Sequence, residues 1–332
     1  MKRLVGLLLA LLAFHSAALG QTPGAPMEGR RAPELPSEPA AWLNSFPLTN
    51  ARLAGKGVVL LFADWQFRQP WAVWQEVPGK FKDQALIYVA VLPGAPRAAV
   101  QSYAAQQQLK WPILVDANRS LEKAFGVPTI GEGQRFYLVG ISHEGKITSG
   151  IQGNLTETSE KLSQGAKWDI APMNLHPSLQ SVWLQLEIGN PALVTPAFKQ
   201  AMKSNDPQVR TGAEALQAAL KNVLEAKTAA AKNDQDLGNH WDAFVAFSTI
   251  VDLYKGFDVP PEADEARKAL SNTPEVRAAQ TAKRNLDGAK RMLSQGNSKQ
   301  AVPILKKIVL DFPTGSLSKE ARELLTQLGV SP

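Results

Sequence analysis

The chain is predicted to fold as an α/β sandwich followed by an all-α half. Three observations carry that reading. Between Trp42 and Gln164, short apolar runs alternate with segments of helical periodicity. From Pro177 onward the apolar residues recur only at helical spacing, beginning with Leu179, Val182, Trp183 and Leu186. Within that second half a pattern returns: Ala243, Phe247 and Ile250-Val251 correspond to Ala301, Leu305 and Ile308-Val309. A length of 332 residues suffices for two cores, and 44% apolar against 20% charged residues is a globular rather than a disordered composition.

Taken in order, the chain opens on a predicted export signal over residues 1–20. Lys2-Arg3 is its basic start, Leu4 to Phe14 its apolar run, and Ala18 and Gly20 the small residues before cleavage near Gly20. Retention of the segment as an anchor is the alternative; the run is short for a membrane span. Export would place the mature chain in the periplasm or outside the cell. Residues 21–39, rich in Pro, Gly, Ala and Glu, read as a flexible linker. The α/β part is assigned to 40–167. Its predicted strands are Val58 to Phe62, Leu86 to Val91, Pro112 to Val115, Phe136 to Val139 and one opening at Gly145-Lys146-Ile147. Its predicted helices run from Trp71 to Phe81, Arg97 to Gln108, Ser120 to Phe125 and Thr156 to Gln164. Alternation closed by a hairpin implies a mixed sheet between helical layers. The helical part is assigned to 168–332.

The α/β part pivots on Asp64-Trp65-Gln66-Phe67-Arg68-Gln69-Pro70-Trp71, directly after its first long strand. Around it stand Trp42-Leu43-Asn44 with Pro47-Leu48, Gly55-Lys56, Glu76-Val77-Pro78, Trp111-Pro112-Ile113-Leu114-Val115-Asp116, Ala124-Phe125-Gly126-Val127 and Glu144-Gly145-Lys146-Ile147. In this order and spacing, the stretch from about Pro33 to Gly165 resembles a redoxin of the thioredoxin superfamily. The branch is either the exported thiol–disulfide oxidoreductases or the alkyl-hydroperoxide-reductase/thiol-specific-antioxidant proteins. The resemblance places that family's attacking and resolving cysteines on Gln66 and Gln69. It also implies a thioredoxin-like fold whose motif helix turns a positive end toward the motif. Two features are compatible with different branches. Val127-Pro128-Thr129 is similar to the cis-proline loop of thioredoxins, and Arg135 suits an arginine that the peroxidase-like branch carries before the same strand. Pro128 is trans by default.

The substitution removes the chemistry. A glutamine amide neither titrates nor attacks, and the chain contains no cysteine at all. Thiol catalysis and thiolate metal sites are therefore excluded. No Gly-rich phosphate loop, paired-histidine motif or nucleophile elbow takes their place, so no catalytic residue, metal or cofactor is expected. What remains is a candidate binding face formed by Trp65, Gln66, Phe67, Gln69, Pro128 and Arg135. His143 reads as a solvated turn residue. Trp71 and Trp74 read as core.

In the second half, the recurring pattern is followed each time by a breaker, Lys255-Gly256 or Phe312-Pro313. Each copy then runs into Glu-Ala-Arg, at Glu265-Ala266-Arg267 with Leu270 and at Glu320-Ala321-Arg322 with Leu324. This resembles degenerate tetratricopeptide helix pairs, which implies stacked helices and a concave surface for a protein or peptide. Arg277, Lys283, Arg284, Lys290, Arg291, Lys299, Lys306 and Lys307 accumulate against Asp287 alone in that window. Such a run is either a solvated face or a weak, salt-sensitive contact to an anionic surface. The net charge of +6 is too mild to argue for nucleic acid. The expected function is an exported, redox-inactive module that binds a protein or peptide. The alternatives are an enzyme with a repurposed site built from Asp64, His143 or Arg135, and an envelope component acting through the basic helices.

Overall fold

Seven consecutive buried residues, Gly57–Ala63, form the strand on which the sheet is centred. In the computed structural model, which describes residues 28–149 and 154–331, this is β2, preceded by β1 (Trp42–Leu43) and a single helical turn α1 (Asn50–Leu53). The predicted signal at 1–20 lies outside the described residues. After β2 come α2 (Trp71–Trp74), α3 (Val77–Lys80), β3 (Leu86–Pro93), α4 (Arg97–Gln106), β4 (Ile113–Asp116), α5 (Ser120–Ala124), β5 (Phe136–Ile141), β6 (Ile147–Ser149) and α6 (Leu155–Ser163). The strands form one sheet in the order β1-β4-β3-β2-β5-β6. β2 is parallel to β3 and β3 to β4, whereas β5 runs antiparallel to β2 and β6 antiparallel to β5. Every residue of β2 and β3 is buried, because both faces of the sheet are covered. Alternate residues of β2 feed two cores: Val58, Leu60 and Phe62 on one side, Val59, Leu61 and Ala63 on the other.

Two expectations need correction. The predicted linker is packed over much of its described length. Gly29 N–H donates to the Ile147 carbonyl and Ile147 N–H to that of Arg30, so the arm lies along the outer edge of β6. Ala32 and Leu35 are buried in the core, and Asn50 Nδ2 holds the carbonyl of Pro33 at 3.0 Å. Two apolar side chains at suitable spacing were enough to dock a segment that composition alone marked as free. The predicted helix from Trp71 to Phe81 is two separate four-residue turns, α2 and α3. Pro78 carries no N–H and Gly79 favours no helix, so the ladder cannot run through. With it goes the expected positive helix end at the motif.

The remaining chain is helical. Its helices are α7 (Pro177–Ile188), α8 (Pro191–Ala201), α9 (Pro207–Asp236), α10 (His240–Leu253), α11 (Pro261–Ser271), α12 (Pro274–Ser294), α13 (Ser298–Asp311) and α14 (Gly315–Gln327). Most begin with proline in the first turn, where a missing N–H costs nothing. α9 packs on α10 as α12 packs on α13. The repeated positions Ala243, Phe247, Ile250, Ala301, Leu305 and Ile308 are all buried. The turns entering α10 and α13 also match. Gly238 and Gly296 have φ of +80° and +79°, and the next N–H, of Asn239 or Asn297, reaches back to close the preceding helix. One register shifts: Leu325, not Leu324, is the buried partner of Leu270, each three residues after its arginine. Among the described residues no helix is long and apolar enough to cross a membrane.

Candidate functional site

At the carboxyl end of β2 the ladder to β5 continues one residue further, with Asp64 N–H donating to the Arg135 carbonyl at 2.8 Å. The chain then turns outward. Asp64 Oδ1 accepts from Gln66 N–H at 2.9 Å, a local side-chain-to-backbone turn of the kind aspartate forms. Gln69 turns back in. It is buried, and its Nε2 donates to the carbonyls of Asp64 and Arg135, both at 3.2 Å. A second tie anchors the outer part of the loop. Trp71 Nε1 donates to Tyr103 Oη at 2.9 Å, and Tyr103 Oη donates to the Phe67 carbonyl at 3.1 Å. Burial raises the Tyr103 pKa above its ordinary value, and the nearby Asp64 charge acts the same way; bonding to Trp71 opposes both. Beneath the loop, Trp71 stands edge-on to Trp74 and Trp111 at centroid separations of 5.0 and 6.0 Å.

Gln66, Phe67 and Arg68 therefore face solvent, and Trp65 is half-buried. The Arg135 guanidinium lies 4.7 Å from the Phe67 ring centroid, a cation–π contact that holds an exposed aromatic ring in place. Opposite, the turn Ile130–Gln134 closes over Asp64, with Gly131 N–H donating to the Gln134 carbonyl. Asp64 Oδ2 is buried there without a protein partner.

The geometry gathers some of the sequence candidates and separates others. Trp65, Gln66, Phe67 and Arg135 belong to one surface. Gln69 does not, since its amide is spent on main-chain carbonyls inside the fold. Pro128 is half-buried, and its peptide bond is trans. His143 lies beyond the opposite end of β5, its ring against Gly165. Six residues of strand separate it from Arg135, about 20 Å at the usual rise. Asp64, Arg135 and His143 therefore do not converge. The basic run is less free than its sequence suggests: Lys283 pairs with Asp287, Lys290 with Glu320 and Lys307 with Asp311.

Sequence reading missed the group that sets the Ile130–Gln134 turn. Asp116, at the end of β4, accepts from the backbone of Leu121 and Glu122; Glu122 accepts from Ile130 N–H at 2.6 Å and from Arg119. Asp116 and Glu122 are both buried. Asp116 stands too far before Ser120 for an N-cap, which lies immediately before the helix, so the local pattern carried no signal for this role.

A six-stranded mixed sheet of this order, with helices on both faces and the motif at the end of its central strand, is a thioredoxin-like fold, here without any thiol. Solved structures of that kind align with the sheet-bearing part. One is the thioredoxin domain of a thiol-disulfide oxidoreductase from Bacteroides vulgatus, 15% identical, covering 40% of this chain and 96% of that one at a TM-score of 0.33. Another is a thioredoxin-family thiol:disulfide interchange protein from Chlorobium tepidum, 16% identical, covering 44% and 99% at 0.32. A third is a secreted disulfide oxidoreductase from Mycobacterium tuberculosis, 22% identical, covering 38% and 96% at 0.29. No family model matches the chain. No curated protein matches it either.

Proposed function

We propose that this chain is an exported, redox-inactive thioredoxin-like protein whose work is binding a protein or peptide, with a tetratricopeptide-like helical half as its second contact surface. The observation that carries the reading is the fate of the two motif positions. Gln66 is exposed and unreactive, and Gln69 is built into the fold as a tie between the ends of β2 and β5. The motif loop is therefore held by side chains that a disulfide-cycling loop would not need, while Phe67 stays presented under Arg135. Export rests on the basic and apolar pattern of residues 1–20.

Two measurements test this. In a dithiothreitol–insulin turbidity assay, or with an organic hydroperoxide, the purified chain is expected to match the buffer blank; catalysed turnover would sink the reading. A photo-crosslinking amino acid placed at Phe67, or at Ala278 in the helical half, is expected to give a discrete adduct in the exported fraction. Absence of adducts from both positions counts against a binding role.

A further inference from the structure

α12 carries five cations against Glu275 and Asp287. Two of the five are neutralised where they stand: Lys283 pairs with Asp287 one turn on, and Lys290 reaches Glu320 of α14. The other three are arginines, Arg277, Arg284 and Arg291, and all are exposed. Each follows the last by seven residues, close to two helical turns, so they fall on one line along the helix. Buried Ala279, Ala282, Leu286 and Ala289 hold the opposite side against the neighbouring helices. The arginine line is therefore the solvent-facing back of α12, about 21 Å from first to last.

Between the arginines stand Thr281 and Gly288, and Gln295 continues the line past the helix end. None of these is acidic or apolar. Arg284 donates to Thr281 Oγ1 at 3.2 Å, and the Arg291 guanidinium stands beside Gly288. Among the described residues no carboxylate pairs with Arg277 or Arg284. Glu275 precedes Arg277 by two residues, about 200° of helical rotation, and so lies off the line. α13 repeats the arrangement on a smaller scale. Lys299 and Lys306, again seven residues apart, are exposed on the side away from buried Ala301, Leu305 and Ile308. A row of guanidinium groups with no apolar side chain among them lacks the desolvated anchor on which a specific protein interface depends. On a convex helix back it encloses no small anion either. It suits a plane of anionic groups, which needs charge and reach alone, and the planar fork of arginine matches phosphate oxygens.

We propose that the back of α12 adsorbs to an anionic phospholipid surface, with Arg277, Arg284 and Arg291 on the headgroup phosphates and Lys299 and Lys306 adding to the attraction. This contact is separate from the protein- or peptide-binding role argued above and does not depend on it. It is peripheral. Nothing on the line enters the apolar layer, so the attraction is electrostatic, reversible and sensitive to salt.

The test is co-sedimentation of the full chain with vesicles at low ionic strength. Vesicles of phosphatidylglycerol and phosphatidylcholine in equal parts should carry the chain down and release it as salt is raised. Vesicles of phosphatidylcholine alone should not. Arg277→Gln, Arg284→Gln and Arg291→Gln combined should lower the partition coefficient by about a hundredfold, since each cation near such a surface is worth about fivefold, with an unchanged circular dichroism spectrum. The single variants Arg277→Gln and Arg284→Gln, about fivefold each, serve if the combination disturbs folding. Arg210→Gln, Lys221→Gln and Lys232→Gln combined remove the same charge from exposed positions of α9 and should leave most of the binding intact. No sedimentation with the anionic vesicles, equal sedimentation with the neutral ones, or undiminished binding by the α12 variants overturns the proposal. So does an equal loss from the α9 combination, which would reduce the contact to net charge. Tighter binding to soluble polyglutamate than to vesicles of equal anion concentration overturns the lipid assignment and points to an acidic protein instead.

Discussion

Gln69 decides the chemistry of the motif and also its stability. Its amide donates to the Asp64 and Arg135 carbonyls within the buried end of the sheet, at 3.2 Å each. Gln69→Leu keeps the volume and removes both bonds. The expected loss is about 1–3 kcal/mol in urea unfolding, whereas Gln66→Leu, at an exposed position, should be close to neutral. Equal effects of the two would mean that Gln69 is not the tie described. Tyr103 supplies a second residue-scale test. Tyr103→Phe leaves Trp71 Nε1 buried without an acceptor, and the same order of loss is expected. Burial raises the pKa values of Tyr88, Tyr103 and Tyr137 above the ordinary 10.0. The unfolded chain therefore releases these protons first as pH rises. The stability they contribute is complete below about pH 10 and is lost as pH climbs from there through their raised folded values. Denaturation midpoints should fall in that alkaline range, and less steeply in Tyr103→Phe.

The elements were legible to different degrees, for physical reasons. β2 and β3 announce themselves as unbroken apolar runs, since a central parallel strand is buried on both faces. α6 announces itself through helical spacing, and α10 to α14 through that spacing together with recurring alanines. The Trp71–Phe81 segment had the right periodicity but contains Pro78-Gly79, which local chemistry obeys before pattern does. The exposed part of the motif was readable because solvent-facing Gln66 and Phe67 need no partner. The inward course of Gln69 was not, because the carbonyls it meets belong to the ends of two strands distant in sequence. What permits α6 to seat on the sheet was equally hidden. A Cβ on Gly57 would lie 2.5 Å from the Leu162 carbonyl oxygen, and one on Gly140 would lie 2.3 Å from Thr148 Oγ1. The sheet admits α6 only where these two strands lack side chains. Gly57→Ala meets backbone that cannot swing aside and is expected to cost about 1–3 kcal/mol. Gly140→Ala meets only side-chain atoms, Thr148 Oγ1 and the two Leu162 methyls at 3.1 Å, which can shift where backbone cannot, so its cost should be smaller. Thermal unfolding of the two variants checks the order, and a larger effect at Gly140 would contradict this account of the packing.

At the scale of the whole molecule, the two halves are joined by charge taken out of water. Lys56, just before β2, is buried with its Nζ 2.9 Å from Glu187 Oε1 near the end of α7; their side chains are 1% and 0% exposed. Glu187 also accepts from the backbone of Asp169 and Ile170, at 2.8 Å each. One carboxylate thus fixes the strand, the connector and the first long helix relative to one another. Arg52 adds a bond to the Leu186 carbonyl, and Lys167 N–H donates to the Gly55 carbonyl. Neither sequence position suggested this. Gly55-Lys56 stood out only as part of a family-like pattern, and nothing local marks Glu187 as buried. The arrangement makes the two single substitutions unequal. Lys56→Met leaves the carboxylate with its two amide donors. Glu187→Leu strands an ammonium and two amides in the interior, the situation in which breaking a buried pair costs about 3–5 kcal/mol. Glu187→Leu is therefore expected to be the more damaging of the two, and the pair should show coupling in a double-mutant cycle. It should also loosen the halves from each other. In the unaltered chain, tryptophan fluorescence, weighted to the sheet-bearing half by Trp42, Trp65, Trp71, Trp74 and Trp111, should follow the same urea transition as helical circular dichroism. In Glu187→Leu the two midpoints should separate. Coincident midpoints in that variant, or a greater loss from Lys56→Met, would show that apolar packing, in which Ile188 of α7 joins the sheet-bearing core beside Phe46, rather than the ion pair, holds the molecule together.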